Sequence, residues 1–181
     1  MGEAVIIEDT RQVITPVDKH ATKHAWFAAH GVELVRMKLD TGDYATDGSN
    51  VLVDTKRNIA EVAMDCGRDH KRFAREMDRA REAGYRLVVL VEVGAPYRTI
   101  GDVARWVNDV CKRCEHRRAG HCDPVGAMRC AKYRSKPMQG ATLAKIMWRM
   151  QETHGCVFEF VNPRQSARRI CELLGVKYDG S

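Results

Sequence analysis

The chain has 181 residues, 44% hydrophobic and 30% charged, with a formal net charge of +6. That length suits one domain with a proper apolar core, and the composition excludes fibrous and disordered classes. No apolar run reaches membrane-spanning length, and Met1-Gly2-Glu3 opens on an acid rather than the basic stretch of a signal peptide. An intracellular protein of the cytoplasm, nucleoid or nucleus is expected, with reduced cysteines and no membrane partner.

The positive charge is local. Residues 111–150 hold ten Lys/Arg against two Asp/Glu, while the rest of the chain is slightly acidic. Focused positive charge is the footprint of a polyanion binder. A solvated, charge-rich loop is the plainer reading.

In chain order, Ala4–Ile7 reads as a strand that delivers Asp9 to its C-terminal end. Thr15-Pro16-Val17-Asp18 reads as a helix start: a capping hydroxyl, proline at the first helical position and an acid in the first turn. The helix runs to about His30, with Gly31 as its stop. Trp26 and Phe27 are expected inside, and His20, His24 and His30 at the surface. Val32–Leu39 alternates as a strand.

Leu39 to Lys56, LDTGDYATDGSNVLVDTK, then reads as extended, turn, extended. Val51, Val53 and Thr55 alternate with Leu52, Asp54 and Lys56, so Asp54 and Lys56 share one strand face. Converging carboxylates hold Mg²⁺ through oxygen ligands. A lysine beside them orients or deprotonates a water, or stabilises charge building on a phosphate. These are the minimal parts of metal-assisted phosphodiester hydrolysis. Alone, Asp-x-Lys on a strand more often marks a solvated face.

Asn58–Met64 reads as a helical piece carrying Glu61. Asp69 caps a stronger helix, HKRFAREMDRAREA, with Phe73, Met77 and Ala80 in one apolar stripe and Gly84 as its end. Arg86–Val93 is a strand buried on both faces. Thr99–Val110 reads as a helix capped by Thr99, with Trp106 in the core. Residues 111–137 lose periodicity. Thr142–His154 is an amphipathic helix with Leu143, Ile146, Met147 and Met150 on one face and Gly155 as its stop. Cys156–Val161 is a strand, and Asn162-Pro163-Arg164-Gln165 opens a last helix with a capping-box pattern that Gly175 closes. The alternation predicts an α/β fold with a central mixed sheet flanked by helices.

Several pieces line up in one order: Asp9-Thr10-Arg11, Gly42-Asp43-Tyr44, Val53-Asp54-Thr55-Lys56, His70-Lys71-Arg72-Phe73 with Glu76, and the buried strand ending at Glu92. Together they resemble the nuclease domain of the XPF-type structure-specific endonucleases, members of the restriction-endonuclease-like, PD-(D/E)XK superfamily. The resemblance covers residues 4–93 and, more loosely, 138–175. It implies a single nuclease domain over residues 1–181, interrupted by a cysteine-rich basic insertion at 111–137. The implied activity is that of a Mg²⁺- or Mn²⁺-dependent endodeoxyribonuclease, a hydrolase acting on branched or structured DNA in repair, recombination or phage DNA processing. Asp43 matches the family's Gly-Asp acid and Lys56 its catalytic lysine. Asp54 stands where Glu is usual, and Thr55 replaces an Arg. Asp9 and Arg11 match the first motif, with Gln12 where an acid is common. Ala60 occupies the place of the acid four residues beyond the lysine, and Glu61 is its nearest substitute. The resemblance thus assigns Asp9, Asp43 and Asp54 to the metal, Lys56 and Glu61 to catalysis with them, and Arg11 and Arg72 to the DNA backbone. It also implies a homodimer. Two alternatives stay open: a non-catalytic, zinc-containing DNA-binding protein on a nuclease scaffold, and a restriction-type or exonucleolytic member of the superfamily.

Cys111, Cys114, Cys122 and Cys130 form C-x₂-C-x₇-C-x₇-C, a set suited to tetrahedral Zn²⁺, with His116 and His121 as spare ligands. The segment has no apolar pattern of its own, so a metal would supply its folding energy. Lys112, Arg113, Arg117 and Arg118 would then be presented to DNA phosphates. Independent free thiols are the competing reading. Cys66, Cys156 and Cys171 read as small core residues.

Overall fold

The computed structural model describes residues 4–11, 19–124 and 129–180. Gln12 and the expected helix start at Thr15-Pro16-Val17-Asp18 lie outside these residues, as does the side chain of His20. Among the described residues the strands are β1 (Ala4–Asp9), β2 (Val32–Met37), β3 (Tyr44–Ala45), β4 (Val51–Lys56), β5 (Arg86–Glu92) and β6 (Val157–Val161). They form one sheet in the order β2-β1-β3-β4-β5-β6. β3 is antiparallel to both its neighbours, and the other pairings are parallel. Parallel neighbours need crossovers, and helices supply them. α1 (Lys19–Ala29) joins β1 to β2, and α2 (Ile59–Cys66) with α3 (His70–Glu82) joins β4 to β5. Between β5 and β6 lie α4 (Ile100–Val103), α5 (Asp109–Lys112), α6 (Glu115–Arg118) and α7 (Gly140–His154). α8 (Ser166–Leu174) follows β6 through a 3₁₀ turn, Pro163–Gln165. The mixed sheet expected from the sequence is present.

Strand parity divides the core in two. Leu52 of β4 and Leu87, Val89 and Val91 of β5 pack with α2, α3, α4 and α7. Val51 and Val53, Val88 and Leu90 pack with α1 and α8 on the other side. Because side chains alternate, Asp54 and Lys56 fall on the α2–α3 face with Leu52, and Glu92 falls on the α1–α8 face with Leu90. Phe73, Met77 and Ala80 of α3 and Leu143, Met147 and Met150 of α7 are buried as their spacing predicts. Each of these buried Phe, Leu and Met side chains contributes about 1.5–3 kcal/mol. Phe27 is fully buried, whereas Trp26 is half-buried, stacked on His30 at 3.9 Å between ring centroids. His24 and His30 are half-buried and hydrogen-bonded to Glu8 and to the Trp26 carbonyl, not surface groups as expected.

The helix expected over Thr99–Val110 is broken. Thr99 and Asp102 do form a capping box, but α4 stops at Val103 and Asn108 caps a separate turn, α5. The cause is the close approach of α7. A Cβ on Gly140 would run into the carbonyl oxygens of Val103 and Trp106. Trp106 is nonetheless in the core at 5% exposure. Two smaller expectations also change. Asp69 precedes α3 without a side-chain capping bond, pairing with Arg68 instead. Asn162 caps the 3₁₀ turn, not α8 itself.

Candidate active site

The β1-β3-β4 register builds the site. Glu8 pairs with Tyr44 and Tyr44 with Val53. One step further places Asp9 opposite Asp43 and Asp43 opposite Asp54, three acids in a row at the carboxyl ends of β1 and β4. Two backbone bonds hold that row: Asp9 N–H donates to the Asp43 carbonyl at 2.9 Å, and Asp43 N–H to the Val53 carbonyl at 2.8 Å. Gly42 makes the second possible. Its φ is +78°, and a Cβ there would sit 3.2 Å from the Val53 oxygen, so the Gly-Asp pair is a steric requirement of this turn.

Asp54 and Lys56 are not on a solvated face: they are 5% and 8% exposed. Lys56 Nζ lies 2.9 Å from Asp54 Oδ2 and 3.0 Å from Asp65 Oδ2, and it sits over the Phe73 ring, 5.1 Å from its centroid. Asp65, on α2, also receives Arg72 Nη2 at 2.7 Å, while Arg72 Nη1 reaches Glu76 at 3.5 Å. Asp43 Oδ2 accepts from both Thr55 N–H at 2.8 Å and Thr55 Oγ1 at 2.6 Å. Asp43, Asp54, Lys56 and Arg72 therefore lie in one neighbourhood, with Lys56 and Arg72 joined through Asp65.

Three assigned residues behave differently. Asp9 accepts from the backbone N–H and Nε of Arg11 and from the Leu39 N–H. Arg11 also donates to the Leu39 carbonyl at 2.7 Å. Glu61 accepts from the Arg57 N–H at 2.9 Å and makes no bond to Lys56. The acid beside the lysine is Asp65, nine residues along the chain. The signal for it was present: Asp65 falls three residues after Val62, next to the inward stripe of Ile59, Val62, Ala63 and Cys66.

Burial sets the electrostatics. Desolvation, then the charges of Asp43 and Glu76, push the Asp54 carboxyl up to about 7 against the pull of Lys56. Burial disfavours the Lys56 ammonium, but Asp54 and Asp65 outweigh it and hold the amine charged, above the usual lysine range. Asp54 Oδ2 is buried and, although close to Nζ, has no hydrogen bond of acceptable angle. A buried oxygen left in this way, beside Asp43, fits a divalent cation. Among the described residues, however, no three His, Cys, Asp or Glu side chains are gathered closely enough to hold a metal. The site offers a two-carboxylate fit.

A groove of about 610 Å³ opens on the same face, lined by Ile7, Leu39, Leu52, Lys38 and Arg79 among others. Its two cations stand among Asp40, Asp47 and Glu82, and none of Asp9, Asp43, Asp54 or Lys56 lines it. A second hollow, about 710 Å³, lies at the opposite ends of the strands around Val5, Val51 and Gly175, away from the acids.

No family model matches the chain, and no curated protein matches it. Among solved structures, XPF from Aeropyrum pernix is similar, with a TM-score of 0.54 and 17% identity over 94% of this chain and 63% of that one. This chain has an XPF-like fold. It spans less than two-thirds of that XPF.

Within the XPF-like frame, the other sheet face carries a polar network that sequence reasoning missed. Glu8, fully buried, bonds His24 and the Tyr44 hydroxyl at 2.8 and 3.1 Å. Lys23 and Ser166 both bond Glu92, tying α1 and α8 to β5. Burial and then Glu8 raise the Tyr44 phenol well above its ordinary range, so it stays a donor. Of the four basic residues assigned to the insertion, Arg113 and Arg118 are exposed, Arg117 is half-buried, and Lys112 pairs with Asp109 at 2.9 Å. Cys66, Cys156 and Cys171 are core residues, as expected.

Proposed function

We propose that this chain is a divalent-metal-dependent DNA endonuclease. The observation that carries the reading is the buried Asp43–Asp54–Lys56 arrangement at the carboxyl ends of β1 and β4, in which Asp54 Oδ2 faces the Lys56 ammonium at 2.9 Å. Asp43 and Asp54 would hold Mg²⁺ or Mn²⁺, with the Thr55 carbonyl as a further oxygen. Asp9 would join them only by releasing Arg11. A bound ion would supply Lewis-acid stabilisation at the phosphate and a lower pKa for the attacking water.

The chain's own residues do the rest. Lys56, held charged by two carboxylates, stabilises negative charge developing on the phosphoryl oxygens and orients the water. Asp65 keeps that amine in place when Asp54 turns to another partner. Arg72 and Arg11 lie at the rim with exposed guanidinium groups and position the backbone of the incoming strand. A structure-selective action on branched DNA, a homodimer and an intracellular setting belong to the same proposal.

One observation favours a second reading. Lys56 is bound on two sides by carboxylates, and no third acid among the described residues completes a metal set. A non-catalytic DNA-binding protein on this scaffold would tolerate both. The experiment is cleavage of single-stranded, duplex, flap and four-way DNAs with Mg²⁺ or Mn²⁺. Asp54→Ala and Lys56→Ala should each lose at least about 100-fold in rate. Undiminished cutting by both removes the site, and no cutting by wild type favours the second reading. Products from circular DNA separate endonucleolytic from exonucleolytic action.

A further inference from the structure

The described residues of the segment 109–137 have little to hold them in one shape. They contain two single-turn helices, α5 and α6, and then no regular structure before α7 among the described residues. Cys111 and Pro124 are the buried side chains of the described part. Such a segment lacks the apolar area needed to offset its own ordering.

Its cysteines nevertheless converge. Cys111 in α5, Cys114 at the cap of α6, Cys122 and Cys130 all line one cavity of about 10 Å³. That is room for about one water-sized sphere. Cys114 N–H donates to the Cys111 carbonyl at 3.2 Å, closing a tight turn between the first two thiols. Tyr133 N–H donates to Cys130 Sγ at 3.3 Å, a bond from the backbone to a sulfur acting as acceptor. His116 and His121 are exposed and line no part of the cavity.

We propose that Cys111, Cys114, Cys122 and Cys130 form a four-thiolate site for one structural Zn²⁺, which locks this segment as a rigid basic projection. Four sulfurs and no fitting histidine select a soft, tetrahedral ion. The sulfurs line the cavity wall but are not drawn to coordinating distance. Closing them onto a shell of about 2.3 Å is what the ion itself contributes to a segment without a core. A zinc ion with four thiolates carries a net charge of about −2. Arg117, which lines the same cavity, stands where a compensating cation is needed. The roots of the projection are already joined, since Asn108 Nδ2 donates to the Met138 carbonyl at 3.4 Å. Met138 also lies against Gly67, at the end of the helix that carries Asp65. The clamp therefore holds the basic segment next to the candidate active site.

The test uses the full chain, purified reduced and without chelator. Elemental analysis should find one zinc per chain. A mercurial reagent should release it on capping four thiolates, since Cys66, Cys156 and Cys171 lie in the core of the fold. Exchange with Co²⁺ alone should give the intense visible and near-ultraviolet bands of tetrahedral cobalt–thiolate coordination. Cys114→Ser and Cys130→Ser should lose those bands while keeping the far-ultraviolet dichroism of the sheet and helices. Chelator should expose the arginyl and lysyl bonds of 111–137 to trypsin at least about tenfold faster. A reduced chain that binds neither ion, or a cobalt spectrum of oxygen and nitrogen ligands, overturns the proposal. These readouts stand whether or not the chain cuts DNA.

Discussion

Burying Asp54 costs the metal-free chain stability at neutral pH, because the folded carboxyl titrates near 7 instead of near 4. A group that binds its proton more tightly when folded stabilises the fold at low pH. That contribution is lost as the pH rises from about 4 to about 7. The loss is up to about 4 kcal/mol, with the pull of Lys56 already included in the shift. Asp54→Asn should therefore raise the unfolding free energy of the metal-free protein, read by urea titration, by about 1–3 kcal/mol at pH 7.5, and leave it nearly unchanged at pH 4. Lys56 retains Asp65 in that variant. A variant no more stable than wild type at pH 7.5 would show that Asp54 is not strained. Asp65 and Glu61 are separated by a second comparison, in which Asp65→Asn loses about tenfold or more of the cleavage rate through kcat. Glu61→Gln should stay near wild type, because Glu61 only caps the start of α2. Equal losses would return Glu61 to the site.

At the scale of elements, most of the sheet was legible because strand periodicity is binary. Placing Asp54 and Lys56 on one face needed only the alternation of Val51 to Lys56, and the parity of β5 put Glu92 on the other side. Asp65 was harder to see. Helix positions three and four apart share a face, so an acid beside an apolar stripe reads equally well as a flank or as solvent exposure. The break after α4 was not legible at all, because its cause lies in Gly140, thirty-seven residues beyond Val103 and silent in any local pattern. Gly140→Ala tests that account. Its methyl would meet backbone carbonyl oxygens that cannot swing aside, so the unfolding free energy from denaturant titration should fall by more than about 2 kcal/mol. Gly94→Ala, with open space around it and no positive φ, should stay within about 0.5 kcal/mol. If both behave alike, the α4–α7 contact is not the constraint.

Across the whole molecule, charge is arranged in two parts that a nucleic acid would meet together. The α2–α3 face gathers carboxylates around one amine, and an uncompensated polyanion would be repelled there. The segment from 111 to 150 holds all of the chain's excess positive charge, and its return at Met138 packs against Gly67, beside the acidic site. On the proposed reading, the basic segment supplies the attraction and the cation neutralises the acids only at the point of chemistry. Lys112 is already paired, so Arg113 and Arg118, both exposed, are the residues to change. Arg113→Ala with Arg118→Ala should weaken DNA binding several-fold at moderate salt. It should also make the slope of log affinity against log salt shallower by about 2, close to one unit per phosphate contact removed. Binding measured by anisotropy with Ca²⁺ replacing Mg²⁺ keeps cleavage out of the reading. If the double variant keeps the wild-type slope, the basic segment does not touch the phosphates, and the attraction comes from Arg11, Arg72 and the cations of the groove.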